Sequence, residues 1–186
     1  MRCFVSVDLP TSLADDIAAA QVPLADDDGV RLTDPTQAHI TLKFLGETDP
    51  DRVAAIDAAL ETAVANAGVA PFDCTVGGLG VFPSLDYSSV VWAGVRDGEG
   101  DAELTTLANA VETEVTALGV DPADHEFTPH ITLARVDDAR RNSTIQQFVT
   151  ERDPTVGTFR VDSLRLTEST RTDDGPIYET VSELNL

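Results

Sequence analysis

A four-residue string, His39-Ile40-Thr41-Leu42, returns letter for letter as His130-Ile131-Thr132-Leu133, 91 residues further on. Each copy opens a segment of strand composition, HITLKFL in the first and HITLARV in the second. A helical pattern and another strand-like segment follow each copy, which marks an internal duplication with one motif per lobe. In a strand, residues i and i+2 share a face. His39 and Thr41 therefore point together, as do His130 and Thr132, while Ile40, Leu42, Ile131 and Leu133 pack to the other side. Two lobes related by an approximate two-fold can bring the two His-Thr pairs face to face across a cleft.

That constellation suits in-line displacement at phosphorus. One neutral imidazole takes the proton of the attacking oxygen, and one imidazolium gives a proton to the leaving oxygen. The two threonine hydroxyls donate to the non-bridging phosphoryl oxygens and stabilise charge there. Acid, base and anion donors are all supplied by the chain, so the chemistry calls for no metal and no cofactor. A lone His-x-Thr on a strand is more often a satisfied structural residue. Here the chain has three histidines and two of them occupy the same motif position, which favours the paired catalytic reading. His125, in Asp-His-Glu, has no such support and reads as a solvated loop residue.

Around the repeat, the pattern gives strands over 2–8, 29–32, 39–45, 72–77, 88–95, 130–136, 157–167 and 177–184. It gives helices over 11–20, 51–67, 101–118 and 142–151. Val53, Ile56, Leu60 and Val64 recur at helical spacing before Gly68, and Leu104, Leu107, Val111, Val115 and Leu118 do so before Gly119. The stretch GGLGVFPSLD reads as a turn between two strands, and Asp121–Glu126 and Asp137–Arg141 read as polar connections. Mixed strands and helices in this order predict an α+β protein rather than a doubly wound parallel sheet. Neither a GxGxxG nor a Walker loop occurs, so no dinucleotide or triphosphate cradle is indicated. At 186 residues the chain fits one domain, 1–186, built of two tightly joined lobes.

Charge narrows the partners. Acidic residues number 33 against 12 basic ones, a formal net charge of −21, and Lys43 is the only lysine. A surface of this kind self-repels at low ionic strength and is stable where concentrated salt screens it, which reads as adaptation to a salt-filled cytoplasm. It cannot track a long nucleic acid by its phosphates, so any RNA contact is local. Cys3 and Cys74 lack the spacing of a disulfide framework or zinc site and read as buried thiols. No run approaches the roughly 18 apolar residues of a membrane span. The opening MRCFVSVDLP reaches Asp8 and Pro10 too early for a signal peptide, so a soluble cytoplasmic protein is expected.

The chain resembles the 2H phosphoesterase superfamily, and within it the RNA 2′,3′-cyclic phosphodiesterases, historically called 2′–5′ RNA ligases. The blocks that carry the likeness span nearly the whole chain: RCFVSVDLP, HITLKFLGE (39–47), GLGVFPS (78–84), VVWAGV (90–95), FTPHITLAR (127–135) and LTEST…GPIY (166–178). The resemblance implies a bilobal α+β fold, two pseudo-symmetric lobes of antiparallel sheet with outer helices around a central cleft. It implies hydrolysis of 2′,3′-cyclic phosphate ends of RNA to 2′-phosphates, with reverse 2′–5′ ligation as in the joining of tRNA halves; a monomer is expected. His39 would be the proton donor, His130 the acceptor, and Thr41 and Thr132 the phosphate holders. Arg135 closes the second block and could neutralise the phosphate. Simple alternation puts it opposite His130, so it must reach round a strand end, a surface role being the alternative. Lys43 falls on the His39 face by the same rule, with an exposed strand-end charge as the alternative. Phe82 could stack on a base, though turn packing is the better reading. Two other functions fit the motifs: a phosphodiesterase for small cyclic nucleotides or ADP-ribose cyclic phosphate, and an idle RNA-end binding module. The charge reading predicts an unfolding midpoint that climbs with KCl well past physiological ionic strength. A midpoint flat from low to multimolar salt, followed by circular dichroism, would contradict it.

Overall fold

The two copies of the repeat open strands β3 (His39–Glu47) and β6 (His130–Val136), and the rest of the fold is arranged around them. The computed structural model describes residues 1–137, 142–173 and 175–186. The other strands are β1 (Arg2–Asp8), β2 (Val30–Leu32), β4 (Phe72–Ser84), β5 (Tyr87–Val95), β7 (Thr155–Val161), β8 (Ser163–Thr172) and β9 (Gly175–Asn185). The helices are α1 (Ala14–Gln21), α2 (Val53–Ala67), α3 (Asp101–Ala117) and α4 (Ser143–Glu151). The strands form one antiparallel sheet in the order β7-β4-β5-β6-β3-β1-β8-β9, with β2 paired to β6 off that path.

The sheet has two halves of four strands, joined between β3 and β6 by one register pair, Ile40 with Ile131. Beyond it the strands part, and β2 takes up the edge of β6 at Ala134–Val136. The halves are not successive pieces of chain. The N-terminal β1 and β3 share a half with the C-terminal β8 and β9, while 72–161 supply the other. β7 and β8 lie six strand intervals apart in the sheet order, about 29 Å if the sheet were flat. Only Asp162 separates them in sequence, a reach of about 7 Å. The sheet must therefore curl to bring the end of β7 beside the start of β8, and the Leu186 amide, donating to Asp162 O at 2.9 Å, continues the β8–β9 ladder up to that corner.

Period-2 alternation sends Ile40, Ile131 and Leu133 to 0% exposure and Leu42 to 6%. They share one core cluster with Ile56 and Leu60 of α2, Leu104, Leu107 and Val111 of α3, Ile17 of α1 and Ile145 of α4. All four helices thus cover the face opposite His39, Thr41, His130 and Thr132, and burial of each large aliphatic side chain contributes roughly 2 kcal/mol. The α+β expectation holds, and Gly68 ends α2 in the left-handed region at φ 60°. No helix among the described residues is long and apolar enough to cross a membrane.

Several element boundaries differ from the sequence reading, three of them in ways that matter to the fold. Residues 11–13 form a 3₁₀ turn before α1. The stretch GGLGVFPS is not a turn but the second half of β4, which runs on to Ser84. Its glycines sit at a bulge, where register shifts between Gly77 and Leu79, and at Gly80, whose missing side chain leaves room for the Trp92 indole. The single strand expected over 157–167 breaks at Asp162 into β7 and β8. Of the polar connection expected at Asp137–Arg141, the part beyond Asp137 lies outside the described residues.

Candidate active site

The two motif strands repeat in burial as well as in sequence. From the histidine onward both run half-buried, buried, half-buried, buried, buried, exposed. The doubled buried position comes from a β-bulge placed identically in each. Ser6 and Val5 pair with Thr41 and Lys43, leaving Leu42 unpaired, and Trp92 and Val91 pair with Thr132 and Ala134, leaving Leu133 unpaired. A bulge inserts one residue and so inverts the alternation beyond it.

This inversion decides the fate of the two cations. Lys43 does not share the His39 face, which corrects the sequence expectation. It turns inward at 6% exposure, pairs with Glu112 of α3 at 2.7 Å and donates from Nζ to Asp121 O at 2.7 Å. Burial pushes the Glu112 carboxyl up, but the hydrogen bond from Lys43 and others outweigh it and hold the group below the ordinary carboxylate value. Lys43 is thus a structural ion pair and not a phosphate ligand. Arg135 moves the other way. The bulge puts it on the face of His130 and Thr132 without any need to reach round, exposed and with no carboxylate partner among the described residues. Its charge bears on His39, His130 and Tyr178 together. Phe44, 67% exposed, takes the matching place after the first motif.

Each histidine is tethered alike. His39 Nδ1 lies 2.9 Å from Gln37 O, and His130 Nδ1 lies 2.7 Å from Thr128 O. A carbonyl only accepts, so Nδ1 carries the hydrogen and Nε2 is left to exchange protons. The register of Ile40 with Ile131 in an antiparallel pair sets His39 toward Thr132 and Thr41 toward His130. Neither threonine hydroxyl has a hydrogen-bond partner within the protein among the described residues, so both are available to an anion.

Aromatic rings wall both imidazoles. Phe4 stacks on His39 with centroids 4.9 Å apart and Tyr178 meets it edge-on at 4.9 Å. On the other side Phe82 meets His130 edge-on at 5.0 Å, with Trp92 at 5.8 Å. Burial lowers both histidine pKa values below the ordinary one, more than the backbone carbonyls raise them. Burial likewise raises the Tyr178 phenol. Trp92 Nε1 is buried without a partner. His125 is exposed on the loop that precedes β6. Phe4, Asp8, Trp92 and Tyr178 have no role in the sequence reading, although each lies in a block that carries the family likeness. Among the described residues, no group of three or more His, Cys, Asp or Glu could hold a metal ion.

Two threonine hydroxyls and a guanidinium beside two histidines tethered at Nδ1 are groups of the kind that phosphoryl transfer uses. The chain belongs to the 2′-5′ RNA ligase superfamily, whose family model matches residues 9–173. It is 37% identical over 173 residues to the RNA 2′,3′-cyclic phosphodiesterase of Aeropyrum pernix, covering 92% of each chain. It is 34% identical over 180 residues to the protein of that name in Archaeoglobus fulgidus, covering 96% of this chain and 97% of the other. Its fold matches the crystal structure of TT0787 of Thermus thermophilus with a TM-score of 0.79 and 27% identity, over 100% of this chain and 98% of that one.

Inorganic phosphate added to the labelled protein is expected to move the NMR signals of His39 and His130 and to spare His125. Arg135→Gln should weaken that binding roughly tenfold, the loss of one charge-assisted bond. Equal phosphate affinity in the variant would remove Arg135 from the site.

Proposed function

We propose that the chain opens the 2′,3′-cyclic phosphate at an RNA end to a 2′-phosphate, with His39 and His130 as a paired acid and base. The observation that carries this reading is the matched tethering of the two histidines, each held at Nδ1 with Nε2 left over, beside two threonine hydroxyls and an arginine side chain that have no partner among the described residues. His130 Nε2 takes a proton from water as its oxygen attacks phosphorus. The P–O3′ bond breaks on the opposite side, and O3′ takes a proton from His39 Nε2. One P–O bond forms and one breaks, water is consumed, and the two histidines exchange protonation states. Thr41, Thr132 and Arg135 hold the non-bridging oxygens, on which charge builds as the fifth bond forms. The aromatic walls exclude water and strengthen these contacts.

With a 5′-hydroxyl in place of water, the same geometry makes a 2′–5′ linkage, as in joining tRNA halves. The net charge of −21 confines contact to the RNA end. A single domain of two duplicated lobes, acting as a monomer in a salt-rich cytoplasm, is the setting we propose. The bulge at the same place in both motifs supports the duplication.

His39→Ala and His130→Ala should each cost on the order of a hundredfold in kcat/KM or more, and the double variant less than the product. Thr41→Val or Thr132→Val should be milder. Since burial lowers both histidines, the bell of kcat/KM against pH should centre on the acid side of the roughly 6.5 reference value. Turnover should survive EDTA. Either histidine variant keeping near-full turnover with an intact fold, or loss in EDTA restored by a divalent ion, would overturn the mechanism.

A further inference from the structure

The two halves of the sheet correspond closely around their histidines, yet the residue facing each one across the neighbouring strand differs. Asp8 of β1 stands directly opposite His39, and Gly94 of β5 stands directly opposite His130. Residues opposite one another in an antiparallel pair share a face, so one histidine has a carboxylate beside it and its counterpart has none. Asp8 is held in place. Ser6 Oγ donates to its Oδ1 at 2.9 Å, and Arg165 Nη1 to its Oδ2 at 2.7 Å, with Glu183 3.5 Å from Arg165 on the far side. Position 94 has little room for a side chain, since a Cβ there would lie 3.2 Å from the Trp92 ring.

We propose that Asp8 is the positioning residue that divides the work between two otherwise equivalent histidines, keeping the resting proton on His39 and leaving His130 as the base. This rests on the cyclic-phosphate reading above and supplies its directionality from within the chain. The charged and titratable groups that bear on His39 are Asp8 from β1, Arg135 and His130 from β6, and Tyr178 from β9, with Arg165 and Glu183 behind Asp8. Those that bear on His130 are His39 and Arg135, both cationic when charged, while its neighbours Phe82 and Trp92 carry no charge. Arg135 opposes protonation at both rings, and Asp8 offsets it at His39 alone. A proton entering the pair settles on His39, and once there it repels a second from His130.

The chain has three histidines, so each ring can be followed by NMR in a pH titration of the free protein, with exposed His125 as internal reference. In the wild type His39 is expected to titrate at higher pH than His130. Asp8→Asn should move the His39 midpoint down by on the order of half a pH unit, Asp8→Glu should restore it, and Arg165→Met should move it up. The alkaline limb of kcat/KM, where the acid loses its proton, should follow the same shifts. A merely structural Asp8 would leave that limb where it is. His39 titrating at or below His130 in the wild type, which needs no variant, overturns the proposal, as does Asp8→Asn moving both histidines equally or neither. Titrations as expected, in a protein that turns over no cyclic phosphate, would support Asp8's role and reject the proposed substrate.

Discussion

The pleat of a β-strand assigns every side chain to a face, and an uninterrupted pleat would have assembled a different site here. On strict alternation Lys43 would join His39 and Thr41, and Arg135 would turn away from His130 and Thr132. The bulges at Leu42 and Leu133 reverse both assignments. In β6 the irregular backbone is braced by groups from outside the strand. Leu133 O accepts from the Thr33 amide at 3.0 Å and from Gln21 Nε2 at 2.9 Å, and Thr33 Oγ1 donates to Thr132 O at 2.7 Å. A buried carbonyl left without such partners costs about 1–3 kcal/mol, so α1 and the segment after β2 stabilise the geometry that presents Arg135. The lysine displaced to the core side finds Glu112 and Asp121 O waiting there.

Electrostatics then separate the site from the surface around it. A chain of net charge −21 opposes any anion at long range, yet the groups that bear on the two imidazoles include the guanidinium of Arg135, which has no carboxylate partner among the described residues. The one carboxylate among them, Asp8, is hydrogen-bonded to Ser6 and Arg165. Aromatic walls from four strands reduce screening by water, and this is how, on the proposed function, short-range attraction to phosphate would outweigh the distant acidic surface. The curl of the sheet serves the same wall, since Tyr178 of β9 meets His39 of β3 from three strands away in the sheet order.

Much of this was legible in the sequence because identity and period 2 are local signals. The repeated His-Ile-Thr-Leu located both histidines and both threonines and put their aliphatic neighbours in the core. The bulges were not legible: nothing in HITLKF or HITLAR marks an extra residue, since neither contains the glycine that usually advertises one, and so Lys43 and Arg135 were assigned to the wrong faces. Glycine misled in the other direction at Gly77–Gly80, where it serves a bulge and the seat of Trp92 inside a strand. Tyr178 and Asp8 owe their places to long-range register, which no spacing in the sequence encodes.

Directionality is the property on which the mechanism stands, because a cyclic phosphate offers two oxygens and a two-fold-like cleft could expel either. With His130 beside the water and His39 beside O3′, as we propose, the phosphate must remain on O2′. Phosphorus NMR of the product from an oligonucleotide ending in a 2′,3′-cyclic phosphate, compared with both authentic isomers, should show a 2′-phosphate essentially alone. A predominantly 3′-phosphate product, or a mixture of the two, would contradict the assignment of acid to His39 and base to His130.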